Sequence, residues 1–170
     1  MYLTADPIDL RSLLAQVQSP RHGGIASFLG AVRDHQAGRS VVRLEYSGYQ
    51  PMAEAECARI VGEAESRWDC AVALKHRIGT LHIGDVAVAI IAASAHRDEA
   101  FAACRYVIEE VKRRVPIWKR EVFADGKVEW VGAGAGGQRG RGAVEEANSV
   151  VDHSASTSIA HNATGHRAES

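Results

Sequence analysis

The sequence predicts an α+β domain, a mostly antiparallel sheet packed by helices, followed by a disordered C-terminal tail. Three observations predict it. Apolar residues recur at the three-four spacing of one helix face in three separate segments. Between those segments lie short runs rich in Ile, Val, Leu and Phe, bounded by Gly, Asp and Pro turn signals. After Val131 the composition changes, and residues 132–142 hold six glycines in eleven positions with no apolar side chain larger than alanine. Such a segment cannot bury enough surface to offset its ordering entropy. The expected division is therefore a domain over 1–131 and a Gly-rich tail over 132–170.

The first helix follows Pro7, with Leu10, Leu13, Leu14 and Val17 on one face, and Pro20 with Gly23-Gly24 ends it. Residues 24–32 and 41–49 read as strands, and the polar loop Asp34 to Ser40 between them suggests a hairpin or strand-loop-strand unit. Pro51 suits the first turn of a second helix to about Trp68, its inner face Ala53, Cys57, Ile60, Val61 and Ala64. Residues 71–78 and 86–94 are two more strands, joined around Gly79 and the Gly84-Asp85 turn; the second is apolar at nearly every position and should be central. A third helix runs from Asp98 to about Arg114 with Phe101, Cys104, Val107, Ile108 and Val111 in helical spacing, and Pro116 disfavours helix at the residue before it. Strands at 118–123 and 127–131 then flank Ala124-Asp125-Gly126, whose Asp-Gly pair signals a hairpin. In the tail only 143–151 suggests a transient helix, and His153, His161 and His166 follow no metal-ligand spacing.

Composition excludes several classes. Twenty Lys plus Arg against 21 Asp plus Glu give a formal charge of −1, without the basic surplus that nucleic-acid coating requires. The longest apolar run is strand-sized, and no basic-then-apolar leader opens the chain, so a cytoplasmic protein with no membrane partner is expected. Three widely spaced cysteines, Cys57, Cys70 and Cys104, fit neither a disulfide framework nor a metal knuckle and read as reduced thiols. HExxH, GxSxG and Walker-type phosphate loops are absent from the sequence, and no metal or cofactor is called for.

Three local features carry possible chemistry. Lys112-Arg113-Arg114 closes the third helix, where the macrodipole favours cations whatever the function. Lys119 and Arg120 follow in a strand, so alternation turns one of them towards whatever the helix end faces. Lys112 and Lys119 then converge on one anion or carbonyl, and like charge around Lys119 favours its neutral amine as base or nucleophile. Ser94-Ala95-His96-Arg97-Asp98 joins the apolar strand to the third helix; it reads either as an anion seat or as a cap, by Ser94 or Asp98, beside solvated side chains. Arg33-Asp34-His35 sits where a strand gives way to a loop, and alone it reads as an ordinary surface ion pair.

Five stretches in register, Phe28 to His35, His76 to Gly79, Gly84-Asp85, Ser94 to Arg97 and Val115 to Glu121, together resemble the catalytic (large) subunit of molybdopterin synthase. The likeness runs from about Ile25 to Val131. The resemblance implies an α/β hammerhead fold and a sulfurtransferase. It implies that two sulfurs, delivered as C-terminal thiocarboxylates of a small ubiquitin-like sulfur-carrier subunit, are placed on cyclic pyranopterin monophosphate in molybdenum cofactor biosynthesis. A homodimer with a carrier at each end, a heterotetramer, is implied as well.

Position by position, the resemblance assigns Lys119 and Lys112 as catalytic, Lys119 closest to acyl and sulfur transfer. It assigns His96, Arg97, Lys112, Lys119, Arg120 and Glu121 to the substrate, and Phe28, Arg33 and His35 to the pocket of the carrier tail. Ile108 stands where some relatives carry methionine. The resemblance leaves open a pocket shared across the dimer, with the neighbouring chain supplying Arg33, His35 or the segment at His96. Two rival readings are a non-catalytic module holding a ubiquitin-like tail or phosphorylated ligand, and a weak RNA surface built from residues 112–114 and 138–142.

Overall fold

The apolar run at residues 86–94 forms the middle of the molecule. The computed structural model describes residues 1–131. In order they form β1 (Leu3–Thr4), α1 (Leu10–Val17), β2 (Gly24–Ala31), β3 (His35–Gln36), β4 (Arg39–Gly48), α2 (Gln50–Trp68), β5 (Cys70–Arg77), β6 (Gly79–His82), β7 (Val86–Ser94), α3 (Arg97–Arg114), β8 (Ile117–Phe123) and β9 (Val128–Val131). One sheet has the order β1-β5-β7-β2; the other has the order β3-β4-β8-β9, with β6 also pairing with β4. Among the described residues only β1 and β5 run parallel. The α+β class and the antiparallel pairing are those the sequence predicts.

Every residue of β7 after Val86 is buried, because the strand lies between β5 and β2 and both of its faces are covered. Val88, Ile90 and Ala92 meet α2 and α3, whose Ile60, Val61, Val107 and Val111 share that cluster. Ala89, Ile91 and Ala93 meet Leu13 and Val17 of α1 on the opposite face. A third cluster, Val32, Val41, Leu44, Leu81, Ala87 and Phe123, joins the second sheet to the end of the first.

Local chemistry sets the helix ends. Asp9 caps α1, its carboxylate accepting from the amides of Arg11 and Ser12 at 3.0 and 3.2 Å. Pro51 sits in the first turn of α2, and Asp69 ends it with a left-handed φ of 44°. In α3, Asp98 and Glu99 occupy the first turn and Lys112 to Arg114 the last, the polarity the macrodipole favours. The N-cap is His96, which makes no side-chain capping bond; the cap expected from Ser94 or Asp98 does not form.

Three features differ from the sequence reading. Strands β2 and β4 do not form a hairpin: β2 pairs along its length with β7, and β4 pairs with β8 in the other sheet. The loop between them closes only the short β3–β4 turn, where Ala37 and Gly38 have φ of 50° and 79°. The segment between Gly79 and Gly84 is itself a strand, β6, paired with β4, and the N-terminal β1 lies beside β5. A two-residue and a four-residue strand are too short to show a period.

The expected tail, with its helix at 143–151 and its three histidines, lies outside the described residues. Among the described residues no helix is long and apolar enough to cross a membrane.

Candidate active site

A cleft of about 550 Å³ opens between the C-terminal end of α3 and the inner face of the second sheet. Its walls are apolar: Val88 from β7, Ile108 and Val111 from α3, Leu44 from β4, and Val115 and Ile117 from the link into β8. Polar groups enter from several elements: Lys112 from α3, Lys119 and Glu121 from β8, Tyr46 from β4, His76 from β5, Arg33 from the link after β2 and His35 from β3.

Alternation along β8 decides which side chains enter. Lys119 and Glu121 line the cleft, whereas Arg120 turns to the other face, paired with Glu45 and 5.6 Å from the Trp130 ring. The two arginines that hold Glu45, Arg43 and Arg120, keep its carboxyl below the usual range. Lys119 Nζ lies 2.7 Å from Glu121 Oε1, and Glu121 is only 3% exposed. The charge nearest Lys119 is thus a carboxylate, not the cation expected from sequence. Lys112 reaches the cleft over Phe28, its Nζ 5.7 Å from the ring centroid, a cation–π distance. Gly30 makes room at this wall, since a Cβ there would stand 2.8 Å from Val88 Cγ1.

Beneath Lys119 lie two neutral groups. Tyr46 is its cross-strand neighbour. Burial, aided by the Glu121 carboxylate, pushes the Tyr46 hydroxyl up to about 12. The Tyr46 ring meets His76 edge-on, with centroids 5.1 Å apart. His76 Nδ1 is 2.7 Å from the Arg77 carbonyl oxygen, and burial holds the imidazole below its ordinary range.

The remaining residues named from sequence divide. Arg33 and His35 line the cleft; Arg33 Nη2 donates to Gln36 Oε1 at 2.7 Å, and His35 Nδ1 lies 2.6 Å from Asp34 Oδ1 in an exposed pair. His96 and Arg97 do not line it. Both are exposed at the opposite end of α3, where Arg97 Nε stands 3.7 Å from Asp98 Oδ1. Fifteen residues of helix separate Arg97 from Lys112, about 22 Å at 1.5 Å per residue.

The cysteines lie away from this cleft. Burial raises Cys57 to about 12 and Cys70 and Cys104 to about 11, so they stay thiols at neutral pH. Among the described residues no group of three or more His, Cys, Asp or Glu is placed to hold a metal ion.

Sequence reasoning missed Tyr46 and His76 as site residues. The signal for Tyr46 was the Leu44–Tyr46 alternation, unreadable without knowing that β8 lies opposite. His76 stands in one of the five quoted stretches and carried no role there.

A protein-family model described as MoaE protein matches residues 3–114. The chain is 47% identical over 131 residues to "Molybdopterin synthase catalytic subunit 1" of Mycobacterium tuberculosis, covering 76% of this chain and 88% of the relative. It is 43% identical over 131 residues to "Molybdopterin synthase catalytic subunit" of Bacillus subtilis, covering 76% and 83%. The X-ray crystal structure of molybdopterin synthase from Staphylococcus aureus superposes with a TM-score of 0.74 at 36% identity, covering 77% of this chain and 96% of that one.

Proposed function

The chain belongs to the MoaE family of molybdopterin synthase catalytic subunits, and from that premise we propose that its cleft inserts two sulfur atoms into cyclic pyranopterin monophosphate. The sulfur arrives as the C-terminal thiocarboxylate of a small ubiquitin-like carrier subunit. "Catalytic subunit", the name the relatives bear, presupposes a second component.

The observation that carries the reading is the convergence of Lys112 and Lys119, from separate elements, on one apolar-walled cleft. A thiocarboxylate and a cyclic phosphate are both anions, and two ammoniums in a dry-walled pocket attract them more strongly than they would in water. Lys119 is held by Glu121 and steadies charge that develops on the carrier's carbonyl oxygen; Lys112 faces it as an electrostatic partner. The thiocarboxylate sulfur bonds to a substrate carbon as a carbon–oxygen bond at that carbon breaks, its oxygen leaving as water or on the opened phosphate, and a water molecule then attacks the resulting thioester carbonyl. The acyl–sulfur bond breaks, the carrier leaves as a carboxylate, and the sulfur stays on the pterin. Phe28, Arg33 and His35 flank the entering tail, and no cofactor is needed.

His96 and Arg97 are too far from Lys112 to touch the same small ligand in one chain. They serve the substrate from a second copy, in a homodimer that carries one carrier at each end. Arg120 faces away from its own cleft and supports β8 through Glu45 instead of binding substrate.

The test is a reconstitution of purified protein, thiocarboxylated carrier and cyclic pyranopterin monophosphate, with the dithiolene read as its fluorescent oxidised derivative. Product is expected from wild type, with more than a hundredfold loss in Lys119→Ala and carrier binding little changed. Carrier binding without product would leave the non-catalytic module as the better reading.

A further inference from the structure

One polar atom of the cleft has no partner among the described residues. His76 is 8% exposed, and its Nδ1 lies 2.7 Å from the Arg77 carbonyl oxygen. A carbonyl only accepts, so Nδ1 carries the hydrogen and Nε2 of the neutral ring is left with its lone pair. Burial favours that neutral form.

Among the described residues nothing donates to Nε2. Nor is Nε2 sealed: the buried side-chain polar atoms without a partner are Arg77 Nε, Glu99 Oε2 and Arg120 Nε. His76 lines the cleft, so its free nitrogen is open to whatever occupies that space. The other polar groups there are of a different kind. Lys112, Lys119 and Arg33 only donate, Glu121 has one oxygen against Lys119, His35 and Gln36 are bonded to Asp34 and Arg33, and the Tyr46 hydroxyl can donate as well as accept. A ligand whose anionic end meets the lysines would still have to place its own N–H groups, and a buried donor without a partner loses affinity.

We propose that His76 Nε2 accepts a hydrogen bond from an N–H group of a bound reactant and thereby fixes that reactant against Lys119. This rests on the functional reading above, which supplies two sources of such a group: a ring N–H of the pterin and a main-chain amide of the carrier's terminal glycines. Tyr46, edge-on to the imidazole, keeps the ring in place. His76 is a binding residue on this assignment, with no covalent part in the transfer.

The experiment uses the full chain with ¹⁵N-labelled histidine, titrated separately with cyclic pyranopterin monophosphate and with the carrier in its carboxylate form. The expected result is that the Nε2 resonance moves from that of a free lone-pair nitrogen to that of a hydrogen-bonded one with one of the two, which also identifies the source. His76→Leu should weaken binding of that reactant about three- to tenfold. His76→Gln, which returns an acceptor oxygen near the Nε2 position, should recover most of the loss.

An Nε2 resonance unmoved by both reactants overturns the proposal, as does a folded His76→Leu that binds both as tightly as wild type. If His76→Leu fails to fold, the titration of the wild-type protein decides alone. Wild type that binds neither reactant overturns the functional reading itself, a different outcome from binding that ignores His76.

Discussion

Lys119 and Glu121 show how a site residue can also be a stability problem. Glu121 is nearly fully buried and Lys119 is its ion-pair partner, so Lys119→Ala leaves a carboxylate sealed in apolar surroundings. That variant should lose about 3 kcal/mol at most, seen as a lower Tm, and Lys119→Ala/Glu121→Gln should recover part of the Tm with no recovery of turnover. Full recovery of both would reduce Lys119 to a charge partner. His76 leaves a separate signature in pH. Its folded value lies below the ordinary 6.5, so on acidification the unfolded chain binds the proton first and stability falls below about pH 6.5. Carboxylates such as Glu45, lowered from 4.5, contribute only at more acid pH. Between pH 7 and 5, therefore, Tm should fall less in His76→Gln than in wild type, and equal slopes would remove His76 as the cause. The two lysines were legible in the sequence because charge and alternation act locally. The pairing with Glu121 was not, because it depends on how deeply β8 is covered.

At the scale of elements, the helices and the long strands follow from periodicity, while sheet membership does not. The residues of β2 and β4 have the right spacing for a hairpin, yet seven residues of β2 match β7 in one register before a shift at Ala31, and the two strands part into different sheets. Pairing of this kind is decided by which strand is buried on both sides, and that is β7. Glycine marks a second long-range constraint. A Cβ on Gly24 would lie 2.8 Å from the Cα and amide nitrogen of Arg97, so β2 approaches the start of α3 backbone to backbone. Gly24→Ala should cost about 1–3 kcal/mol by overpacking, measurable by denaturant unfolding, and should shift the segment that carries His96 and Arg97. An unchanged midpoint would show that α3 can retreat freely. The β8–β9 turn, by contrast, was plain in the sequence: Gly126 has φ of 80°, as the Asp-Gly pair predicts.

For the whole molecule, the proposed function and the separation of His96 and Arg97 from Lys112 together make the number of chains a testable part of the chemistry. If a second copy completes each cleft, His96→Ala/Arg97→Ala and Lys119→Ala should each be inactive alone, and mixing them through an unfolding and refolding cycle should restore about a quarter of wild-type turnover. In a random mixture half the dimers are mixed, and each of these carries one intact cleft of its two. No restoration would assign both residues to their own chain's surface. Sharing across a dimer was among the alternatives read from the sequence, but one sequence does not decide between them, because it says nothing of what lies across an interface. The alternation of β8 also limits how this strand can shift. Lys119 and Glu121 face the cleft and Arg120 the far side of the sheet, so a slip of β8 by one residue against β4 would present Arg120 to the reactants and hide Lys119. Register along β8 is therefore a question of parity: a slip of two residues keeps the active face, whereas a slip of one turns it inside out.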